Sequence, residues 1–236
     1  MDPIEEDTHF YFQVYAPIAR FVDHYFAVGP QPLDRDAHAG YLPRIVNATT
    51  PDTPPRIVIT GAPASGKTEF FERLKGISDL SGFIFFEELA RQLLLQDPGY
   101  RTRWSEFHRE IYRRQTEREK QAGNRPFITD RGTADAFAFH PETVRDVGTS
   151  LAAEHARYTA VVQLGSSAGL GPEFYPQDDI RIEQVEQVLR LEAQTQHVWQ
   201  GHPNYHFVPA EPSFEAKYQG FLALILLLTG KIAGTN

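Results

Sequence analysis

The sequence predicts an α/β domain on a five-stranded parallel sheet, strand order 2-3-1-4-5, with helices on both faces and an N-terminal extension. Two observations carry the α/β class, the parallel strands and the extension. From Arg56 onward, short β-branched or aromatic runs alternate with longer stretches of helical period, the pattern of parallel strands joined by crossover helices. The chain's 236 residues, 41% of them hydrophobic, suffice for one such domain with an appendage and fall short of two large ones. A doubly wound sheet with right-handed crossovers gathers its chemistry at the carboxyl ends of the strands.

In chain order, the elements begin with an extension, residues 1–55, expected to pack on a core domain of residues 56–236. Its start, Met1-Asp2-Pro3 followed by Glu5, Glu6 and Asp7, is acidic where a secretion signal is basic, so a cytoplasmic protein is expected. Residues 9–28 are dense in aromatics, among them Phe10, Tyr11, Phe12, Phe21 and Phe26. So apolar a segment should cover one side of the sheet or serve as a contact for a protein partner. Residues 29–55 mix Pro, Gly, Asp and Asn without period and read as an irregular connection. Strands are expected at 57–60, 83–86, 127–129, 160–164 and 206–208. Helices are expected at 68–75, 87–95, 103–122, 134–158 with a break available at Pro141, 180–199 and 214–228. Trp104, Phe107 and Ile111 should form one buried stripe, and Ile182, Val185, Leu189 and Ala193 another.

Composition removes several classes of function. The absence of cysteine excludes a disulfide framework, a thiolate zinc site and cysteine catalysis. Apolar runs such as 222–228 fall far short of the ~20 residues of a membrane span, so no membrane partner is expected. The formal charge of −8 argues against a nucleic-acid track. That acidity is uneven, because residues 101–131 carry 9 basic against 5 acidic side chains. A bound anion is therefore compatible with the total, since a phosphate site depends on its local field.

The strongest chemical signal is Gly61-Ala62-Pro63-Ala64-Ser65-Gly66-Lys67-Thr68, a full match to the phosphate loop G-x-x-x-x-G-K-[ST] between a strand and a helix. Glycines let the backbone curl so that N–H groups point at phosphate oxygens, and the helix N-terminus, which includes Glu69, adds its positive end. Lys67 suits the β- and γ-phosphates, and the Thr68 hydroxyl suits Mg²⁺. The motif implies a nucleoside triphosphate, with Thr68 suited to hold its metal. Asp130, in Thr129-Asp130-Arg131-Gly132, stands at the end of a strand where a carboxylate holds the metal directly or through water. Arg131 offers a fork for a phosphate or a neighbouring carboxylate. Glu87 and Glu88 end another strand. A carboxylate there can take the proton of an acceptor hydroxyl, or simply complement the dipole of the helix that follows.

Weaker signals follow. Residues 165–172 are rich in Gly and Ser and precede Asp178, Asp179, Arg181 and Arg190. A mobile lid whose arginines close over the phosphates would look like this, and so would a solvated loop. Gly165-Ser166-Ser167-Ala168-Gly169 also fits G-x-S-x-G, but Leu170-Gly171-Pro172 bars the helix that a nucleophile elbow needs. His202 and His206 do not share a helix face, since Pro203 lies between them. Residues 209–213 can flank an adenine ring, or form a turn capped by Ser213.

Together the phosphate loop, Glu88 to Arg91, Thr129 to Gly132 and Arg181-Ile182-Glu183 resemble the ribosylnicotinamide-kinase-like (NadR-type AAA domain) branch of the P-loop NTPases, over residues 56–229. The resemblance implies ATP- and Mg²⁺-dependent phosphoryl transfer to a small hydroxyl-bearing acceptor, nucleoside-like. It places Lys67 and Thr68 at the phosphates and metal, Glu88 and Asp130 at the acceptor and metal side, and Arg181 in the lid. A P-loop ATPase or nucleotide switch acting with a protein partner is the competing expectation, and a binding module without turnover the third.

Overall fold

The computed structural model describes residues 53–175 and 184–231. The expected packing of residues 1–55 therefore lies, but for the last three, outside the described residues, as do Asp178, Asp179 and Arg181.

Five strands form one parallel sheet: β1 (Arg56–Gly61), β2 (Ile84–Phe86), β3 (Phe127–Asp130), β4 (Ala160–Leu164) and β5 (Tyr205–Val208). Their order is 2-3-1-4-5, and every neighbouring pair is parallel. β1 sits at the centre because Ile57, Val58 and Ile59, all with 0% exposure, are apolar on both faces, as a strand covered on both sides requires. Ile57 and Ile59 face one way, toward Phe70, Phe71 and Leu74 of α1 (Lys67–Lys75) and Phe221 and Ile225 of α8 (Phe214–Leu228). Val58 faces the other way, toward Ala122 of α3 (Trp104–Ala122), Phe137 of α4 (Asp135–Phe139) and Trp199 of α7 (Val185–Trp199). This alternation with period two puts helices on both faces. α2 (Leu89–Gln96) joins α3, α4 and α7 in a third cluster around Leu93, Phe107, Phe139 and Val188.

Three expectations need correction. The stretch 134–158 is three short helices, α4, α5 (Thr143–Asp146) and α6 (Leu151–His155). Pro141 lacks the N–H to continue the first, Gly148 turns left-handed at φ 69°, and the Ser150 hydroxyl caps the third by accepting from Ala153 N at 3.3 Å. The buried stripe of α7 is Val188, Leu191, Thr195, Val198 and Trp199, whereas Ala193 is exposed. Two registers share nearly one period here, and the one that buries the large Trp199 ring removes more apolar area from water. α2 begins at Leu89 rather than Glu87, which frees both glutamates from the helix. Among the described residues no helix is long and apolar enough to cross a membrane.

Candidate functional site

The register of β1 against β3 aligns Ile59 with Asp130, so the phosphate loop and the Asp130 turn emerge side by side at the strands' carboxyl ends. Gly61 has φ 154°, and a Cβ there would stand 2.6 Å from the Leu164 carbonyl oxygen. Gly66 has φ 81° and the Phe214 ring 3.0 Å from the place of a Cβ. Only glycine fits both positions. The loop's carbonyls are held from behind: Ser166 Oγ donates to Pro63 O at 2.7 Å, Ser167 N to Ala64 O at 3.1 Å, and Lys217 Nζ to Ser65 O at 2.7 Å. Because N–H and C=O point oppositely across a trans peptide, this turns the Ala64 and Gly66 amides away from those donors, while Ser65 N donates back to Ala62 O at 3.3 Å; beside them start the first-turn amides of α1 that no helical acceptor can satisfy. Thr68 and Glu69 are exposed there. The Glu69 side chain accepts from Arg73 at 2.9 Å and so offers the loop its backbone alone.

Lys67 and Asp130 form a buried ion pair, 5% and 7% exposed in their side chains. A buried ammonium needs such a partner. Burial above all, and then Glu88, push the Asp130 carboxyl above the usual carboxylate range against the pull of Lys67. Glu88 sits just before α2 in extended backbone, φ −60° and ψ 125°, with no side-chain cap bond. Its carboxylate instead accepts from Arg131 Nε at 2.7 Å. Glu87 turns outward to Lys75, also at 2.7 Å. Glu88 thus pairs with Arg131 while standing at the N-terminal end of α2, where its charge also complements the helix dipole. Arg131 holds a left-handed φ of 65°, a strained state for a side-chain-bearing residue, and this turns its guanidinium inward over the Phe139 ring at 4.8 Å and toward Asp135 at 3.4 Å.

Sequence reasoning missed Asp135. It accepts from Thr60 Oγ1, from Gly132 N at 2.8 Å and from Trp199 Nε1 at 3.2 Å, and so pins the Asp130 turn to β1 and α7. The spacing Arg131 to Asp135, four residues apart across a turn into a helix, was the available signal. Glu88, Asp130 and Asp135 set three carboxylates against Lys67 and Arg131, an excess of negative charge that suits a hard dication. Among the described residues no three His, Asp or Glu side chains form a metal cage. Mg²⁺ does not need one, since it is commonly held by one or two carboxylates with waters and phosphate oxygens. Thr68 and Asp130 fit that requirement.

Glu88, Asp130, Arg131 and Asp135 also line a small, partly enclosed cavity of about 30 Å³ with Phe107 and His108 of α3. His108 is 2% exposed, and neither of its ring nitrogens has a hydrogen-bond partner. Burial first, and then His140, push its pKa well below the ordinary imidazole value. The ring is therefore neutral, with one donor and one acceptor, and each such group left unsatisfied in the interior costs about 1–3 kcal/mol.

A family model described as an AAA domain matches residues 56–217. The chain belongs to this AAA-domain family. Among solved structures, a deoxyadenosine kinase from M. mycoides with bound dATP is similar at 12% identity and a TM-score of 0.48, over 72% of this chain and 98% of that one. No curated protein matches the chain.

The other expectations fall on the AAA domain as follows. The Gly-Ser stretch after β4 is no hinge at residues 165–169. Beyond the bonds from Ser166 and Ser167 to the loop, Ser166 N donates to Glu192, Ala168 is buried, and a Cβ on Gly165 would meet Ala210 N at 2.9 Å. Its small residues serve close approach rather than motion. His202 is used in full, accepting from Asn204 N at 3.1 Å and lying 3.0 Å from Tyr158 O. Ser213 caps α8 by accepting from Ala216 N at 3.2 Å. Of the basic stretch, Arg113 pairs with Glu110 and Glu117 and Arg114 with Glu110 on α3 itself, Arg109 pairs with Asp146, and Arg131 with Glu88 in the site. Lys217, unmentioned in the sequence reading, stands behind that loop at 6% exposure and also donates to Gly165 O at 2.6 Å. Burial lowers its pKa to about 8 against the pull of Glu192 and Glu211.

Proposed function

We propose that the protein is a small-molecule kinase, transferring the γ-phosphoryl group of ATP to a hydroxyl of a nucleoside-like acceptor in the manner of the ribosylnicotinamide-kinase-like proteins. One observation carries this reading: the carboxylates beside the phosphate loop border a small, partly enclosed cavity that aromatic side chains also line, a setting suited to a small acceptor. The acceptor hydroxyl would lie against Glu88, whose carboxylate takes its proton while the hydroxyl oxygen bonds to the γ-phosphorus and the bond to ADP breaks. Arg131 orients Glu88. Lys67 would exchange Asp130 for the phosphates as nucleotide enters, leaving Asp130 and Thr68 for Mg²⁺, which neutralises charge on the phosphate oxygens when bound.

A cavity of about 30 Å³ holds roughly one water, while sites for small ligands measure hundreds of Å³. Acceptor binding in this reading requires α2 and α3 to part and close again, which also excludes water from the γ-phosphate. ADP formation should therefore depend on a nucleoside, and Lys67→Ala should abolish it while circular dichroism shows the fold intact. Full-rate ATP hydrolysis without acceptor, and no phosphorylation across a nucleoside panel, would overturn the reading in favour of an ATPase or switch.

A further inference from the structure

Around the cavity the polar side chains of Glu88, Arg131, Asp135 and Gln115 are hydrogen-bonded, and His108 is not. Its surroundings are flat and apolar: the Trp104 ring lies 4.5 Å away edge-on, Phe107 5.3 Å and Phe139 6.5 Å, while His140 stacks on it at 5.4 Å. His140 itself is engaged, with Thr143 Oγ1 at 2.9 Å and Ser105 Oγ at 3.2 Å. The cavity is thus lined by two kinds of surface. Carboxylates and Arg131 make one, and aromatic and aliphatic side chains carrying a lone unsatisfied imidazole make the other. A bare sugar would leave the apolar walls unmatched, whereas a flat ring with a donor and an acceptor on one edge matches both the walls and His108.

We propose that His108 is the specificity residue for the acceptor, hydrogen-bonding the polar edge of a nucleobase-type heteroaromatic ring whose attached hydroxyl reaches Glu88. The inference rests on the kinase reading for the role of the bound molecule. It does not rest on it for the binding itself, and two readouts separate them.

The full-length protein, labelled with ¹⁵N-histidine and held with ADP and Mg²⁺, is titrated with adenosine, guanosine, cytidine, uridine, nicotinamide riboside and free ribose. The His108 signals are assigned by their loss in His108→Phe or His108→Gln, so that one misfolded variant does not stop the experiment. In parallel, steady-state kinetics with ATP compare wild type with His108→Phe, which keeps the ring and removes both nitrogens. The expected result is that one nucleoside moves the His108 ring-nitrogen signals while free ribose does not. His108→Phe then raises KM for that nucleoside about tenfold or more, the scale of one lost buried hydrogen bond, with KM for ATP unchanged. Unmoved signals with every nucleoside, or an unchanged acceptor KM, overturn the role of His108, even where phosphorylation occurs. A nucleoside that moves the signals and is not phosphorylated sustains His108 and overturns the kinase reading instead.

Discussion

Glu88 and Glu87 are adjacent and chemically identical, yet one lies 11% exposed against Arg131 and the other faces solvent against Lys75. The difference is backbone: Glu88 keeps extended dihedrals before α2 starts, so its side chain leaves the chain on the site's side. In the kinase reading Glu88→Gln removes the proton acceptor and keeps the shape. The expected loss is ~10²-fold or more in kcat, with ATP affinity by calorimetry unchanged; equal kcat would show that Glu88 only positions Arg131. The phosphate loop was legible residue by residue because its function is written in a contiguous backbone. The two neighbouring acids could not be told apart from the residues themselves, because a pair of dihedral angles separates them, and only the family resemblance singled out Glu88.

At the scale of elements, α8 and the segment after β4 act together on the loop, through Lys217 and through Ser166 and Ser167. Glycine and serine content suggested a hinge, but the same small side chains permit tight docking, and composition alone does not distinguish the two. Lys217 leads to a pH prediction. Its folded pKa, about 8, lies below the ordinary 10.5. The burial penalty on its charged form is thus fully present below about pH 8 and is relieved as pH rises from there toward 10.5. Stability gains over that window, because the unfolded chain binds the extra proton, while the positive charge behind the loop is lost. ATP affinity in the wild type is expected to fall as pH rises through about 8, and in Lys217→Met to start lower and lack that fall. Binding titrations on either side of pH 8 check this, and an identical slope in both proteins would remove Lys217 from nucleotide binding.

For the whole molecule, every described site residue lies between Gly61 and Lys217, within the span matched by the AAA-domain family. A chain beginning at Thr53 should therefore keep acceptor-dependent ADP formation, with any change appearing in Tm. Loss of ADP formation in a truncated protein that still folds would show that residues 1–52 belong to the site or to a switch.

The five strands and the phosphate loop were determined by the sequence alone, because strand and loop signals are local: a period of two, a run of β-branched residues, a fixed spacing of glycines and lysine. Even the acidic total could be read down to its one basic stretch. Only the tertiary structure decided that Arg113 and Arg114 of this stretch pair with acids of their own helix, that Asp135 pins the Asp130 turn, that Lys217 supports the loop from behind, and that His108 stands unsatisfied in the cavity. Each of these depends on which distant side chain shares a buried space of low dielectric, where a partner or its absence is costly, and contacts between residues far apart in the chain leave no period in the sequence.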